Sequence, residues 1–250
     1  MTTFDQTPDK PQSFGYKINW LALGTSDTAA VLDALELAEA TPANWESGLA
    51  AVYGNDPWVF VSPPIGGWIL AIGGCLPYPT IQSHDDAGKK FDVLFPRLMK
   101  RFDDVQFYGS HRVVDFVAWA RGLNGKPMRI FAWTGSEGVV LANFGGQTLE
   151  EAKLRFADLT GLSASDAGDE IFRLAGEEQT AEEALVASGI SRREAIARVR
   201  QERGKSFPDE VDVVELAGLW SINPIELSEQ DHSLSLGMAA RLPENFRVPT

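Results

Sequence analysis

The sequence predicts an α+β protein with a mostly antiparallel sheet, formed by a meander and hairpins, and with helices packed against it. Short apolar runs separated by turn residues indicate strands, and Asn124-Gly125 between two of these runs is the strongest short-range signal for a β-hairpin. Helical patterns lie between the strands as far as residue 147, and beyond it the pattern is almost entirely helical. This distribution of strands and helices is typical of the α+β class.

Three regions follow from this division. We expect a disordered N-terminal lead over residues 1–14, because the segment is polar and slightly acidic. An α+β sheet domain occupies residues 15–147. The C-terminal region, 148–250, is predicted to be helical, and its helices are short with modest apolar stripes, so we expect them to dock on the sheet domain instead of forming a separate core.

The first region contains most of the predicted elements. Strands are predicted at 16–24, 58–61, 68–72, 105–108, 113–121, 128–133 and 139–144. Helices are predicted at 29–39, from Thr41 onward and at 89–102. Thr41 would be the N-cap of the second helix, with Pro42 at the first helical position, where its missing N–H costs nothing. Pro96 should kink the third helix or start another one.

The C-terminal region opens with three capping-box patterns. These are Thr148 with Glu151, Thr180 with Glu183, and Ser191 with Glu194. In each pair the hydroxyl and the carboxylate can satisfy N–H groups at the start of a helix. Helices are therefore predicted at 149–159, 166–176, 181–188, 192–203 and 209–219. The tail from Ser228 has little periodicity.

Composition and charge exclude several classes of protein. The single Cys75 excludes an intramolecular disulfide, and its apolar setting favours a buried side chain. No basic segment precedes an apolar one at the N-terminus, and no apolar run is long enough to cross a bilayer, so we expect a cytoplasmic protein. A net charge of −13 disfavours nucleic acids and anionic membranes as partners, because binding to phosphates needs Lys and Arg. A basic protein partner is compatible with this charge.

Candidate catalytic and ligand residues are few. His111 and Asp115 would share one face of a strand, where Asp115 could orient His111 as a general base, but the sequence supplies no identifiable nucleophile. His84, Asp85 and Asp86, with Ser83, could coordinate a metal, although a solvated turn explains them more simply. The Gly pairs at 66–67 and 73–74 do not match a phosphate-binding loop. We therefore predict no catalytic residue, metal site or cofactor.

The densest charge lies in the predicted C-terminal helices. Residues 148–250 carry 20 acidic and 11 basic residues. The candidate partner-binding residues are Asp166, Asp169, Glu170, Glu177, Glu178, Glu182 and Glu183. They could steer a basic partner or form a solvated helical face. The basic cluster that follows, five Arg residues from Arg192 to Arg203 and then Lys205, could pair with them internally. The seven Trp residues are expected mainly in the core.

Several stretches resemble an uncharacterised family of bacterial proteins, namely Asn44–Gly48, Phe60–Trp68, His111–Arg121 and Ala217–Pro224. This resemblance implies no activity and no site residue. As an acidic α+β chain with many aromatic residues and no catalytic set, the protein is similar in type to immunity proteins that neutralise bacterial toxins.

Our leading hypothesis is therefore a non-enzymatic immunity protein or antitoxin that binds a toxin with a basic surface. The alternatives are a hydrolase that uses His111 and Asp115 or a metal near His84, and a structural or assembly subunit. The sequence makes no prediction of the oligomeric state.

Overall fold

A computed structural model describes residues 3–54, 56–80 and 86–248. Its strands are β1 (Asn19–Leu23), β2 (Ala38–Ala43), β3 (Trp58–Val61), β4 (Ile69–Ile72), β5 (Asp104–His111), β6 (Phe116–Leu123), β7 (Lys126–Thr134), β8 (Val139–Phe144) and β9 (Gly237–Arg241). Its α-helices are α1 (Thr28–Ala34), α2 (Trp45–Val52), α3 (Asp86–Met99), α4 (Leu149–Lys153), α5 (Ala164–Ala187), α6 (Arg192–Arg203) and α7 (Glu210–Trp220). A 3₁₀ turn, Arg112–Val114, separates β5 from β6.

All nine described strands form one antiparallel sheet in the order β2-β9-β3-β4-β1-β5-β6-β7-β8. The predicted α+β class and antiparallel sheet are confirmed. The hairpin predicted at Asn124-Gly125 joins β6 to β7, and both residues have positive φ, 49° and 79°, as a type I′ turn requires.

Helices cover both faces of the sheet. On one face, α2, α5 and α7 pack against Trp20, Trp119 and Trp133. On the other face, α1 and α3 pack against Leu23, Val61, Phe107 and their neighbours. The meander places alternate side chains of each strand in opposite cores, because successive side chains of a strand point to opposite faces.

The structure differs from the prediction around residue 41. The first helix ends at Ala34, and Thr41 and Pro42 lie in β2, so they do not start a helix. Asn44 is the N-cap of α2, and its side chain accepts a hydrogen bond from the Ser47 N–H. Pro42 is tolerated because β2 is an edge strand, where one missing donor need not break the ladder.

The second helix considered at Pro96 and the break predicted between residues 176 and 181 need a similar correction. One helix, α3, continues through Pro96, and Leu98 and Met99 beyond it are buried in the core. The segments predicted as separate helices at 166–176 and 181–188 form the single helix α5. Thr180 lies inside α5 and donates a hydrogen bond to the Gly176 carbonyl, so it caps no helix. Thr148 and Ser191 do cap α4 and α6.

The tail contributes a strand that the sequence analysis does not predict. β9 pairs with both β2 and β3, so residues from the C-terminal region complete the sheet. Ala239 and Ala240 are both buried, which explains why this strand shows no alternation of apolar and polar residues. At Gly237 a Cβ would lie 2.5 Å from the Val61 carbonyl oxygen, so close strand approach requires glycine here.

The N-terminal segment also differs from the disordered lead predicted over residues 1–14. The Asp9 carboxylate accepts hydrogen bonds from the Trp45 and Glu46 N–H groups at the start of α2, at 2.7 and 3.0 Å. Asp9 also forms a β-bridge with Ser235, and Phe14 is buried in the core. Residues 3–14 are thus held by contacts with α2 and the tail. Among the helices described, none is long and apolar enough to cross a membrane.

Candidate functional site

The acidic candidates all lie on α5, but they do not form one face. At about 100° per residue, Asp166, Glu170 and Glu177 fall along one flank of the helix. Asp169 and Glu183 point outward on the side away from the core. Glu178 and Glu182 lie on the partly buried side of the helix.

Local partners neutralise part of this charge. Arg173 forms ion pairs with Glu170 at 2.6 Å and with Glu177, and Arg203 of α6 approaches Glu177 at 3.5 Å. The hydrogen bonds from Arg173 lower the pKa of Glu170. Glu178 accepts a hydrogen bond from the Ser206 N–H at 2.8 Å. Asp166 accepts a hydrogen bond from the Ser163 hydroxyl at 2.7 Å, and Glu183 accepts one from the Gln179 amide at 2.9 Å. Within the described chain, Asp166, Asp169, Glu182 and Glu183 have no ion pair, and of these Asp169 and Glu183 are exposed on the outward side of the helix, where a partner can reach them.

The Arg cluster of α6 pairs with α5 only through Arg203. Arg198 forms an ion pair with Glu194 on its own helix. Arg192, Arg193 and Arg200 are exposed, and no carboxylate of the described residues lies in ion-pair contact with them. The internal pairing considered from the sequence is thus limited to one contact between the two helices.

His111 and Asp115 do not share a strand, so the predicted catalytic geometry is wrong. His111 ends β5, and the 3₁₀ turn lies between it and Asp115, which has left-handed backbone angles of φ 47° and ψ 37°. The His111 ring packs on Phe116 at 5.8 Å, and burial lowers the pKa of the imidazole. In the part of the chain that the structure describes, no carboxylate, hydroxyl or thiol hydrogen-bonds the ring.

The metal-site candidates fall mostly outside the described residues, which exclude Ser83, His84 and Asp85. Asp86 begins α3 and forms an ion pair with Lys90 one turn later. Across the described ranges, no three His, Cys, Asp or Glu side chains come close enough to hold a metal ion.

Most Trp side chains belong to the core, as predicted. Trp20, Trp45, Trp58, Trp119, Trp133 and Trp220 are buried. Trp68, at the tip of the β3–β4 hairpin, is partly exposed and lines a cleft of about 620 Å³ together with Leu219 and His232.

A more distinctive feature is the 3₁₀ turn with the residue after it, Arg112–Asp115, which we call the valine turn. Val113 is 92% exposed, and Val114 is also exposed. The turn is nevertheless fixed: the Val114 carbonyl accepts hydrogen bonds from the Thr134 hydroxyl at 3.0 Å and from the Ser136 N–H at 3.3 Å. The Asp115 carbonyl accepts a third bond from the Gly135 N–H. An apolar, β-branched side chain is therefore held in solvent by an ordered backbone.

Clefts lie on both sides of the valine turn. The first has a volume of about 620 Å³, and its lining includes His111, Val113, Tyr53, Tyr78, Leu141 and Lys17. Lys17 has a left-handed backbone with φ 57°. Its N–H donates to the Ser110 hydroxyl at 3.2 Å.

The second cleft, which we call the aromatic cleft, has a volume of about 450 Å³ and lies between the valine turn and the helices α5 to α7. Trp133, Phe172 and Phe207 line it together with Arg112, Arg200 and Glu210. Arg112 and Glu210 form an ion pair across it, with Arg112 Nε 2.8 Å from the carboxylate. The sequence analysis missed this site. The available signal was the placement of two Phe residues in otherwise hydrophilic segments.

Comparisons of the chain with models of protein families, with curated proteins and with solved structures find no match.

Proposed function

We propose that this protein acts by binding another protein, and that it is an immunity protein or antitoxin that neutralises a bacterial toxin. The observation that carries the protein-binding part is the valine turn, an ordered apolar projection between two clefts. Exposed apolar groups with pockets beside them are typical of sites where proteins bind one another. Burying one Val side chain contributes about 1.5–3 kcal/mol.

The surroundings of the turn match the usual composition of an interface, with an apolar centre and a charged rim. Phe172 lines the aromatic cleft and lies on α5 between Asp169 and Arg173. The unpaired carboxylates of α5 therefore lie on an element that borders the apolar centre. They would speed association with a basic partner, because charges at a rim act mainly on the on-rate. This placement, together with the net charge of −13, supports a basic toxin as the partner.

The hydrolase alternative has less support from the geometry. Its base, His111, is not hydrogen-bonded to any orienting or nucleophilic group of the described chain, and Asp115 lies beyond a turn. We also propose that the protein acts in the cytoplasm, a compartment that keeps thiols such as the buried Cys75 reduced.

A toxicity screen tests the proposal. A genomic expression library from the source organism is introduced into host cells that do or do not produce this protein. We expect at least one clone that kills the host alone and is tolerated when the protein is present, and we expect its product to bind the purified protein. If no clone shows this dependence, the immunity proposal is wrong.

Variants then locate the surface. Val113→Asp should abolish protection, whereas Val93→Asp, which alters an exposed Val on α3, should not. The double variant with Asp169 and Glu183 changed to Lys should slow association, most strongly at low salt, because exposed charges are screened beyond about 8 Å at physiological ionic strength. An unchanged on-rate at low salt would show that the α5 carboxylates are only a solvated surface.

A further inference from the structure

The aromatic cleft contains three rings that contact one another. The ring centroids of Trp133 and Phe207 are 5.3 Å apart, and that of Phe172 lies 6.0 Å from each of them. Trp133 is buried and forms the floor, while Phe172 is 51% and Phe207 37% exposed. Two of the three rings thus keep a large apolar surface open to the cleft.

Phe172 is held in place by its neighbours. Gly138, in the β7–β8 turn, has a left-handed backbone with φ 64°, and a Cβ at this residue would lie 2.5 Å from Phe172 Cζ. The ring therefore packs directly on the turn, in space that only glycine leaves free. The exposed aromatic wall is a fixed feature of the fold, which lowers the entropic cost of binding a ligand ring.

The charged side chains around the cleft differ in whether they have an ion-pair partner. The guanidinium of Arg112 is occupied by Glu210, and the carboxylate of Asp209 by Lys205. Arg200 of α6 lines the cleft without an ion pair to any described carboxylate. The exposed Asp115 also lines the cleft, on the side of the valine turn, and it has no ion pair among the described residues. The α6 side of the cleft therefore offers one free cation next to the aromatic rings.

We infer that the aromatic cleft binds an aromatic side chain of the partner protein that stands next to a carboxylate, with Arg200 as the group that binds the carboxylate. This inference rests on the proposed protein-binding function and names the chemistry of the contact. Arg suits this role because its planar guanidinium pairs with carboxylates through two parallel hydrogen bonds. The Phe rings supply the apolar contact, with offset or edge-on packing against the incoming ring.

Small probes test the cleft without the partner. N-acetyl-L-tryptophan carries an indole and a carboxylate, and N-acetyl-L-tryptophanamide has the same ring without the charge. Both are titrated into the full-length ¹⁵N-labelled protein, and amide shifts are followed by NMR. We expect the carboxylate probe to bind about tenfold more tightly than the amide, since a charge-assisted pair is replaced by a neutral contact. The shifts should map to residues around Phe172 and Phe207.

Matched variants separate the ring contact from the charge. Arg200→Gln should remove the difference between the two probes, while Arg193→Gln, on the same helix outside the cleft, should preserve it. Phe172→Ala should abolish binding of both probes, while Phe144→Ala, which removes a Phe of equal exposure (52%) on β8, should not. Circular dichroism confirms that each variant is folded.

The outcomes distinguish the inference from the proposed function. Equal affinity for the two probes, or shifts that map elsewhere, would overturn the inference even if the protein protects cells from a toxin. Specific binding of the carboxylate probe in a protein that protects against no clone would support the cleft and overturn the immunity proposal.

Discussion

Arg129 and Glu151 form an ion pair whose side chains are only 4% and 2% exposed. Glu151 Oε1 accepts hydrogen bonds from Arg129 Nε and Trp119 Nε1, both at 2.9 Å, and Oε2 accepts one from the Thr148 N–H at 2.7 Å. Arg129 also donates to Asn143 and to the Phe144 carbonyl. The pair thus ties α4 to the sheet with nearly every polar atom satisfied.

Removing one member of this pair should be costly. We expect Glu151→Gln to lower the free energy of unfolding by about 3–5 kcal/mol, because it leaves the Arg129 guanidinium buried without a counter-charge. Urea unfolding measures the loss. Glu194→Gln, which breaks the exposed pair with Arg198, is the matched control and should change stability by less than about 0.5 kcal/mol. Equal effects of the two substitutions would contradict this account.

Cys75 illustrates burial acting on a single titratable group. Burial raises the pKa of its thiol to about 12, because the charged thiolate is poorly solvated there. The thiol therefore stays protonated across the neutral range and only becomes ionised well above pH 10. We expect no reaction with a thiol reagent such as Ellman's reagent at pH 8 in the native protein, and one reacting thiol after unfolding in guanidinium. A fast native reaction would show that the site opens readily.

The helix α5 contains a sequence that has the spacing of a capping box but caps no helix. Thr180 and Glu183 have the spacing of a capping box, but α5 continues through both, and Ser163 caps it instead. The Thr180 hydroxyl bonds back to the Gly176 carbonyl, as Thr does inside helices.

Alanine substitutions distinguish a Thr in the interior of a helix from a Ser that caps one. We expect Thr180→Ala to leave stability unchanged or to raise it by up to about 0.5 kcal/mol, because Ala is the better helix former in a helix interior. Ser191→Ala removes the true N-cap of α6 and should cost about 1 kcal/mol. Thermal or urea unfolding measures both. A loss at Thr180 as large as that at Ser191 would indicate that a helix does start at residue 180.

The sheet joins the two halves of the chain. β9 lies between β2 and β3, and α5 and α7 cover one face of strands formed before residue 147. The N-terminal segment in turn caps α2 and pairs with the tail at Ser235. Each half therefore leaves apolar surface and strand edges exposed when it is alone.

Truncation tests this interdependence. We expect a chain that ends at residue 230, without β9, to lose cooperative thermal unfolding, because β2 loses its only described strand partner and Phe60 loses contact at Gly237. Limited proteolysis of the full chain should accordingly yield no stable fragment ending near residue 147. A folded, cooperative fragment 15–147 would show that the sheet domain is independent of the C-terminal region.

The sequence by itself determined the features that depend on neighbouring residues. Apolar alternation located the strands of the meander, Asn124-Gly125 located their tightest turn, and the hydroxyls of Thr148 and Ser191 located two helix starts. These signals are local, since hydrogen bonds to a cap or the φ angles of a turn involve only a few consecutive residues. The charge of α5 could be predicted in the same way.

Only the tertiary structure decided which of the predicted elements form and which distant residues they contact. Thr41 and Pro42 lie in an edge strand because β9, from the other end of the chain, pairs with that strand. The tail forms a strand because side chains on both of its faces are buried. His111 and Asp115 were separated by a turn anchored to Thr134, 20 residues beyond Val114. The aromatic cleft brings Trp133, Phe172 and Phe207 together from three elements or segments of the chain. Such contacts depend on how the chain packs. The spacing of residues along the sequence does not predict the distance between residues that lie far apart in it and that folding brings together.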